Sequence, residues 1–426
     1  MTEILFFAIL VGPTIQYRVE LGAFSFAVME PVVIGASLAL ILLPMLSRRP
    51  VMVRKDPLLL LLLGLMLWVT LTRPWQADWE HGLSDLRDWG IPVLAYTALV
   101  SSPSPGWRKR AQLLVLLAVA YSGMGIFQHF TNSSRPFVDE LASFKTSFAL
   151  TETGELARAS YAVALFAHPN GFAIFLSLAL MTALGLAGQT RWKVAATSAA
   201  ITIALALYWT YAKASLVAIV LVVGAFVLSR LLRSIPRSLV ITIVVGCLLG
   251  AWVAAIAAWI PDAWLATFRW RLELWHTALD IFARDPEVLL FGNGMSAFGS
   301  QAAYPQPHSL YLYSGLEYGL IGVSAIILLS VTVLRQGMVA SRNGVLGGSP
   351  ALEGLWMGLL GFFVIGFVES NLLGIELRMI FLIAASTFQV GVSEELSRVN
   401  GIGRESFQGP LQWRLASGST PRPRTV

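Results

Sequence analysis

The segment Tyr304 to Gly322, YPQPHSLYLYSGLEYGLIG, sets a histidine and then a glutamate into a run that otherwise reads as the start of an apolar helix. An imidazole titrates near neutral pH and can take a proton from an attacking hydroxyl. At the edge of a membrane an unpartnered titratable group is costly, so its presence there is a functional hypothesis by default. Pro305 and Pro307 end the extended lead and place His308 at the mouth of the helix that follows. Glu317 lies half a turn away and about 14 Å deeper in an unbroken helix, which rules out an acid–base pair and makes it a packing anchor. Gly315, Gly319 and Gly322 form a small-residue seam that admits a close neighbour.

Upstream, Trp264, Phe268, Leu272, Trp275, Leu279 and Phe282 step by three or four, the apolar stripe of a helix, with Arg269, Glu273, His276 and Asp280 on the wet side. The spacing predicts an amphipathic helix lying at a membrane surface, and the five tryptophans between Trp252 and Trp275 read as an interface belt. Arg269 has Glu273 one turn on and is a solvated pair. Arg271 turns toward the apolar side, where a guanidinium wants an anion, and phosphate oxygens suit its planar fork. The turn FGNGMSAF, Phe291 to Phe298, returns the chain to the membrane, because a lone G-x-G with no strand before it is weak evidence for phosphate binding.

The elements that must position these residues are membrane helices. The chain has 426 residues, 56% hydrophobic and 13% charged, with a mean hydropathy of +0.70, against roughly 25% charged in a soluble globule. Cys247 is the single cysteine, which excludes an intrachain disulfide framework. The basic residues do not cluster on one solvent face, so nucleic acid is not a partner. The patterning predicts an all-α polytopic membrane protein with about twelve spans, near 3–16, 26–46, 57–72, 89–101, 111–130, 170–188, 194–211, 214–232, 238–259, 308–333, 352–369 and 375–392. With both termini inside, the inner loops hold 19 of the 30 Lys and Arg, the bias expected of cytoplasmic loops. The long segments 73–88, 131–168 and 261–307 then fall outside, where any chemistry belongs. Residues 1–392 form one membrane domain with 261–307 inserted, and 393–426 read as a disordered cytoplasmic tail.

The block RLELWHTALDIFARDPEVLLFGNGMSAF…PHSLYLYSGLEYGLIG, Arg271 to Gly322, resembles the signature region of the O-antigen ligase and O-antigen polymerase superfamily: an R-x-x-x-W helix, a G-x-G turn, then H-[NS]-x-[YL]-L before E-x-G-x-[IL]-G. ARASYAVALFAHPNGFA, Ala157 to Ala173, resembles an earlier outer motif containing P-N. The resemblance implies a GT-C-like glycosyltransferase of the bacterial inner membrane, metal-independent and without a cofactor, with its site on the periplasmic face. The donor would be a glycan on undecaprenyl pyrophosphate, and the acceptor a hydroxyl of lipid A core, of another glycan (an O-antigen or exopolysaccharide repeat) or of a protein. His308 matches the essential histidine and Arg271 the arginine of the helix motif. The third cationic position, usually arginine in T-x-[ST]-R, has TYAKAS here, so Lys213 stands where the family carries a bidentate fork. The resemblance implies attack with inversion, the two cations binding pyrophosphate. Arg158, His168, Asn170 and Arg378 are further candidates for phosphate or sugar contacts, against which stand plain roles as caps and surface pairs. A transporter or flippase of lipid-linked oligosaccharide is the alternative that many spans alone allow, and a scaffold for an envelope synthesis complex is a third.

Overall fold

The computed structural model describes residues 2–12, 18–21, 24–27, 29–46, 56–75, 79–102, 106–131, 149–150, 156–157, 162–166, 168–231, 262–302, 306–370 and 374–399. It is a helical protein. In order come α1 (Thr2–Val11), the hairpin β1 (Arg18–Leu21) and β2 (Phe24–Ala27), α2 (Glu30–Leu46), α3 (Pro57–Trp75), α4 (Trp79–Ser101) and α5 (Trp107–Thr131). The short pair β3 (Ala149–Leu150) and β4 (Leu156–Ala157) precedes α6 (Pro169–Ala187), α7 (Lys193–Trp209) and α8 (Lys213–Leu231). Then follow α9 (Asp262–Arg284), α10 (Pro286–Phe291), α11 (Met295–Gln301), α12 (Leu310–Arg342), α13 (Val345–Gly348), α14 (Pro350–Ile365) and α15 (Ile375–Val399). Both hairpins are antiparallel, with Arg18 opposite Ala27 and Ala149 opposite Ala157.

Among the described residues four helices, α5, α6, α12 and α15, are long and apolar enough to cross a membrane. Helices stand at eleven of the twelve expected spans, and the twelfth, 238–259, lies outside the described residues. The helix α6 is apolar all round and buried along nearly its whole length, as a helix with no wet face must be. It meets α14 through small residues: a side chain at Gly185 would overlap the Pro350 carbonyl, and one at Gly354 the Met181 carbonyl. Around this centre, Leu60, Leu67, Leu71, Leu116, Ile201, Val220 and Val331 face outward, an apolar exterior suited to lipid.

Three local expectations need correction. The segment 73–88 is largely helical, since α3 runs to Trp75 and α4 starts at Trp79; Arg87 pairs with Asp88 at 2.7 Å within that extension. The last helix continues to Val399, past the expected boundary at 392, because Ser393 and Ser397 are buried and Glu395 pairs with Arg108 at 3.1 Å and Arg398 at 2.9 Å. The rest of the expected tail, 400–426, lies outside the described residues. The buried stripe of α9 is Leu274, Ala278 and Ile281, with Leu279 exposed. The wet side is as expected, with Arg269, Glu273, His276 and Asp280 all exposed. The helix turns a little further than the sequence stripe implied because α9, α10 and α11 close their own small core, with Val288 and Phe298, against Leu316 of α12.

The helix α12 is broken at Gly319, which has φ 68° and ψ −164°, a region essentially closed to side-chain-bearing residues. The carbonyls freed by the break all find donors. Gly294 N donates to Leu316 O at 2.7 Å, Asn293 N to Glu317 O at 3.4 Å, and Trp68 Nε1 to Tyr318 O at 2.8 Å. The FGNG turn therefore does more than return the chain: its amides cap an interrupted helix, and the seam at Gly315 and Gly319 receives Phe282 of α9 and Leu290 of α10. A Cβ at Gly319 would overlap the Leu290 carbonyl. Gly319→Ala is thus expected to destabilise by about 1–3 kcal/mol from backbone strain and by about as much again from overlap, seen as a lowered melting temperature in detergent.

Candidate functional site

Glu369 lies four residues beyond the end of α14 and is 6% exposed. A carboxylate so deeply buried must be charge-paired, and side chains from three separate parts of the chain converge on it. Arg271, from the buried side of α9, donates from Nη2 to Glu369 Oε1. His308 Nδ1 is 3.2 Å from Oε2. Asn170 Nδ2, from the first turn of α6, donates to Oε1 at 2.9 Å. Burial alone would raise the Glu369 pKa, but the Arg271 charge and the His308 bond outweigh it and hold the carboxyl below its ordinary value.

Each partner is fixed locally. His308 sits two residues before α12 with φ 47°, a strained conformation for a ring-bearing residue that persists only where neighbours impose it. Those neighbours are Trp275, whose Nε1 donates to Pro307 O at 3.0 Å, Trp270, whose ring centre is 5.3 Å from the imidazole, and Gly366, whose carbonyl takes the Leu310 N–H at 2.7 Å. Trp270 and Trp275, two of the tryptophans of the expected interface belt, hold the histidine loop. On α6, His168 is the N-cap: its Nδ1 accepts the Asn170 N–H at 3.1 Å. The turn before it is clamped by Gln128, which donates to Ala164 O at 3.0 Å and accepts from Ala164 N at 2.7 Å.

Lys213 precedes the apolar stretch Ser215–Gly224 of α8. Partial burial lowers its pKa, and the Arg271 charge lowers it further, so the two cations sense each other. The arrangement brings Arg271, His308, His168, Asn170 and Lys213 into one electrostatic neighbourhood. Arg378 stands apart: it stacks over Trp89 at 4.4 Å, and Trp89 Nε1 donates to the Tyr318 hydroxyl at 3.3 Å, beside the break in α12. Arg158 lies outside the described residues.

Glu369 was missed in the sequence, though the rule that singled out His308 and Glu317, an ionisable residue at the edge of an apolar run, applies equally to FVES. Three buried polar atoms in the same segments, Arg271 Nε, Gln306 Oε1 and Ser370 Oγ, have no hydrogen-bond partner among the described residues. Buried polar atoms are rarely left so, and a polar ligand would engage them. Compared with known proteins, the chain matches no family model, and no curated protein matches it in sequence.

Proposed function

We propose that this protein is an inverting glycosyltransferase of the bacterial inner membrane that moves a glycan from undecaprenyl pyrophosphate to an acceptor hydroxyl. In this reading about twelve helices span the bilayer, the termini are cytoplasmic, and α9 to α11 form a periplasmic insertion beside the site. The observation that carries it is the convergence of Arg271 and His308, from α9 and from the loop before α12, on the more distant Glu369, with Lys213 within reach of the Arg271 charge.

In this reading each side chain has a chemical task. An ionised Glu369 only accepts, so it holds His308 as the Nδ1–H tautomer and leaves the Nε2 lone pair as base. The acceptor oxygen attacks the anomeric carbon as its proton passes to Nε2. The carbon–oxygen bond to the pyrophosphate breaks on the opposite face, and the leaving group takes the electron pair. Arg271 and Lys213 stabilise that growing negative charge, an electrostatic role usually worth more than any other in such a site.

The break in α12 favours the second reading, a transporter or flippase, since discontinuous helices often form transport sites. Its freed carbonyls, however, are engaged by Asn293, Gly294 and Trp68 and do not face a substrate. The deciding experiment supplies purified protein in liposomes with an undecaprenyl-pyrophosphate-linked oligosaccharide and candidate acceptors. Acceptor-dependent release of undecaprenyl pyrophosphate is the expected result; movement of the intact lipid between leaflets without bond cleavage would establish the transporter instead. In the same assay Lys213→Ala is expected to raise KM for the donor about tenfold, the range of one charge-assisted hydrogen bond, while Lys213→Arg keeps near-parental values.

A further inference from the structure

The end of α6 away from Glu369 borders a groove of about 590 Å³ between α5 and α7, closed by Leu186. From Asn170 to Leu186 is about 24 Å along the helix, so the groove is remote from the site above. Its walls are apolar, including Leu113, Leu116, Ala195 and Ala199, and its mouth carries Glu3, Lys109 and Trp192. A concave apolar volume with a few polar groups at one end is the usual form of a small-molecule site.

Its dimensions select the occupant. The lining runs from Lys109 to Val119 on α5 and from Trp192, the N-cap of α7, to Thr202 within it, in each case about 15 Å along the helix axis. That is half of the roughly 30 Å hydrocarbon core, the depth of one leaflet. The charge at the mouth selects further. Lys109, 63% exposed, pairs with Glu3; Arg191 lies over the Trp192 ring at 5.8 Å, and Lys193 follows, both exposed. Among the described residues, Lys109 and Glu3 of the lining offset each other, while Arg191 and Lys193, outside the lining, flank the lining residue Trp192 on both sides in the chain and bring positive charge beside the mouth, where a lipid headgroup would sit.

We infer that this groove is a binding site for an anionic phospholipid, one acyl chain filling it and the phosphate facing Lys109, Arg191 and Lys193. Any lipid can supply the tail. The basic mouth adds a preference for net negative headgroups, as basic pockets between membrane helices do. The phosphate would share Lys109 with Glu3, and the preference does not depend on chemistry at Glu369.

The test is native mass spectrometry of the full chain released from nanodiscs of equal phosphatidylglycerol and phosphatidylcholine. The parental protein is expected to retain phosphatidylglycerol over phosphatidylcholine by roughly tenfold, the effect of one to two cations at a charged surface. The K109Q/R191Q/K193Q variant should keep a lipid but lose the preference, and Ala195→Trp, at an exposed wall position, should lose the lipid. Equal retention of the two lipids by the parental protein, or unchanged preference in the triple variant, would reduce the groove to ordinary lipid contact. If the tryptophan variant fails to fold, the triple variant decides alone.

Discussion

Replacing His308 with alanine is expected to slow glycan transfer by about 10²–10⁴-fold, the usual contribution of one positioned general base, while the protein stays folded. Glu369 keeps Arg271 and Asn170 as partners when the imidazole is gone, so the stability cost is that of a single hydrogen bond to a charged group, about 1.5–3 kcal/mol. His308→Asn is the sharper variant, because asparagine tolerates the φ of 47° better than alanine and offers no base. Release of undecaprenyl pyrophosphate, followed with both variants correctly inserted, is the measurement. Transfer at the parental rate in either would remove His308 from the mechanism.

Glu369→Ala should be the most destabilising change in the site. It leaves the Arg271 guanidinium, whose side chain is 14% exposed, without a counter-ion, and breaking a buried pair by removing one partner costs about 3–5 kcal/mol. Glu369→Gln keeps the shape and one acceptor but not the charge, and should fall between alanine and parent. Removing both charges, as in Arg271→Met with Glu369→Met, should recover much of the stability and none of the transfer. That contrast separates folding from chemistry. The pH dependence has a definite sign. Because the folded carboxyl lies below its ordinary 4.5, its contribution is complete above that value and is lost as pH falls through the folded pKa. Thermal unfolding from pH 7 downward should show this loss in the parent and a smaller one in Glu369→Gln; identical curves would mean that the cluster does not bear on stability.

Much of the site could be read from residue types. Arg271 was separated from Arg269 by helix geometry alone, and in the fold Arg269 is exposed while Arg271 lies at the buried Glu369. The Pro-x-Pro lead puts His308 at the mouth of the helix, as the first residue of the expected span 308–333; in the fold the helix begins two residues later, at Leu310. Glu369 was not read because its meaning is relational: a lone acid after an apolar run gains significance only when α6, α9 and the loop before α12 meet it. The break at Gly319 was hidden for a similar reason. A glycine within a helical pattern is tolerated locally, and only the FGNG turn and Trp68, distant in sequence, supply the donors that make an interrupted helix stable.

The sequence by itself determined an apolar helical protein, the amphipathic character of α9, and the candidacy of His308, Arg271 and Lys213, since hydropathy, periodicity and side-chain chemistry are local properties of the chain. The tertiary structure alone decided that a buried carboxylate joins Arg271 and His308, that Arg378 lies over Trp89, and that α12 is interrupted. Ion pairs and capping bonds form between segments separated by many residues, and which of them meet is set by the packing of the helices.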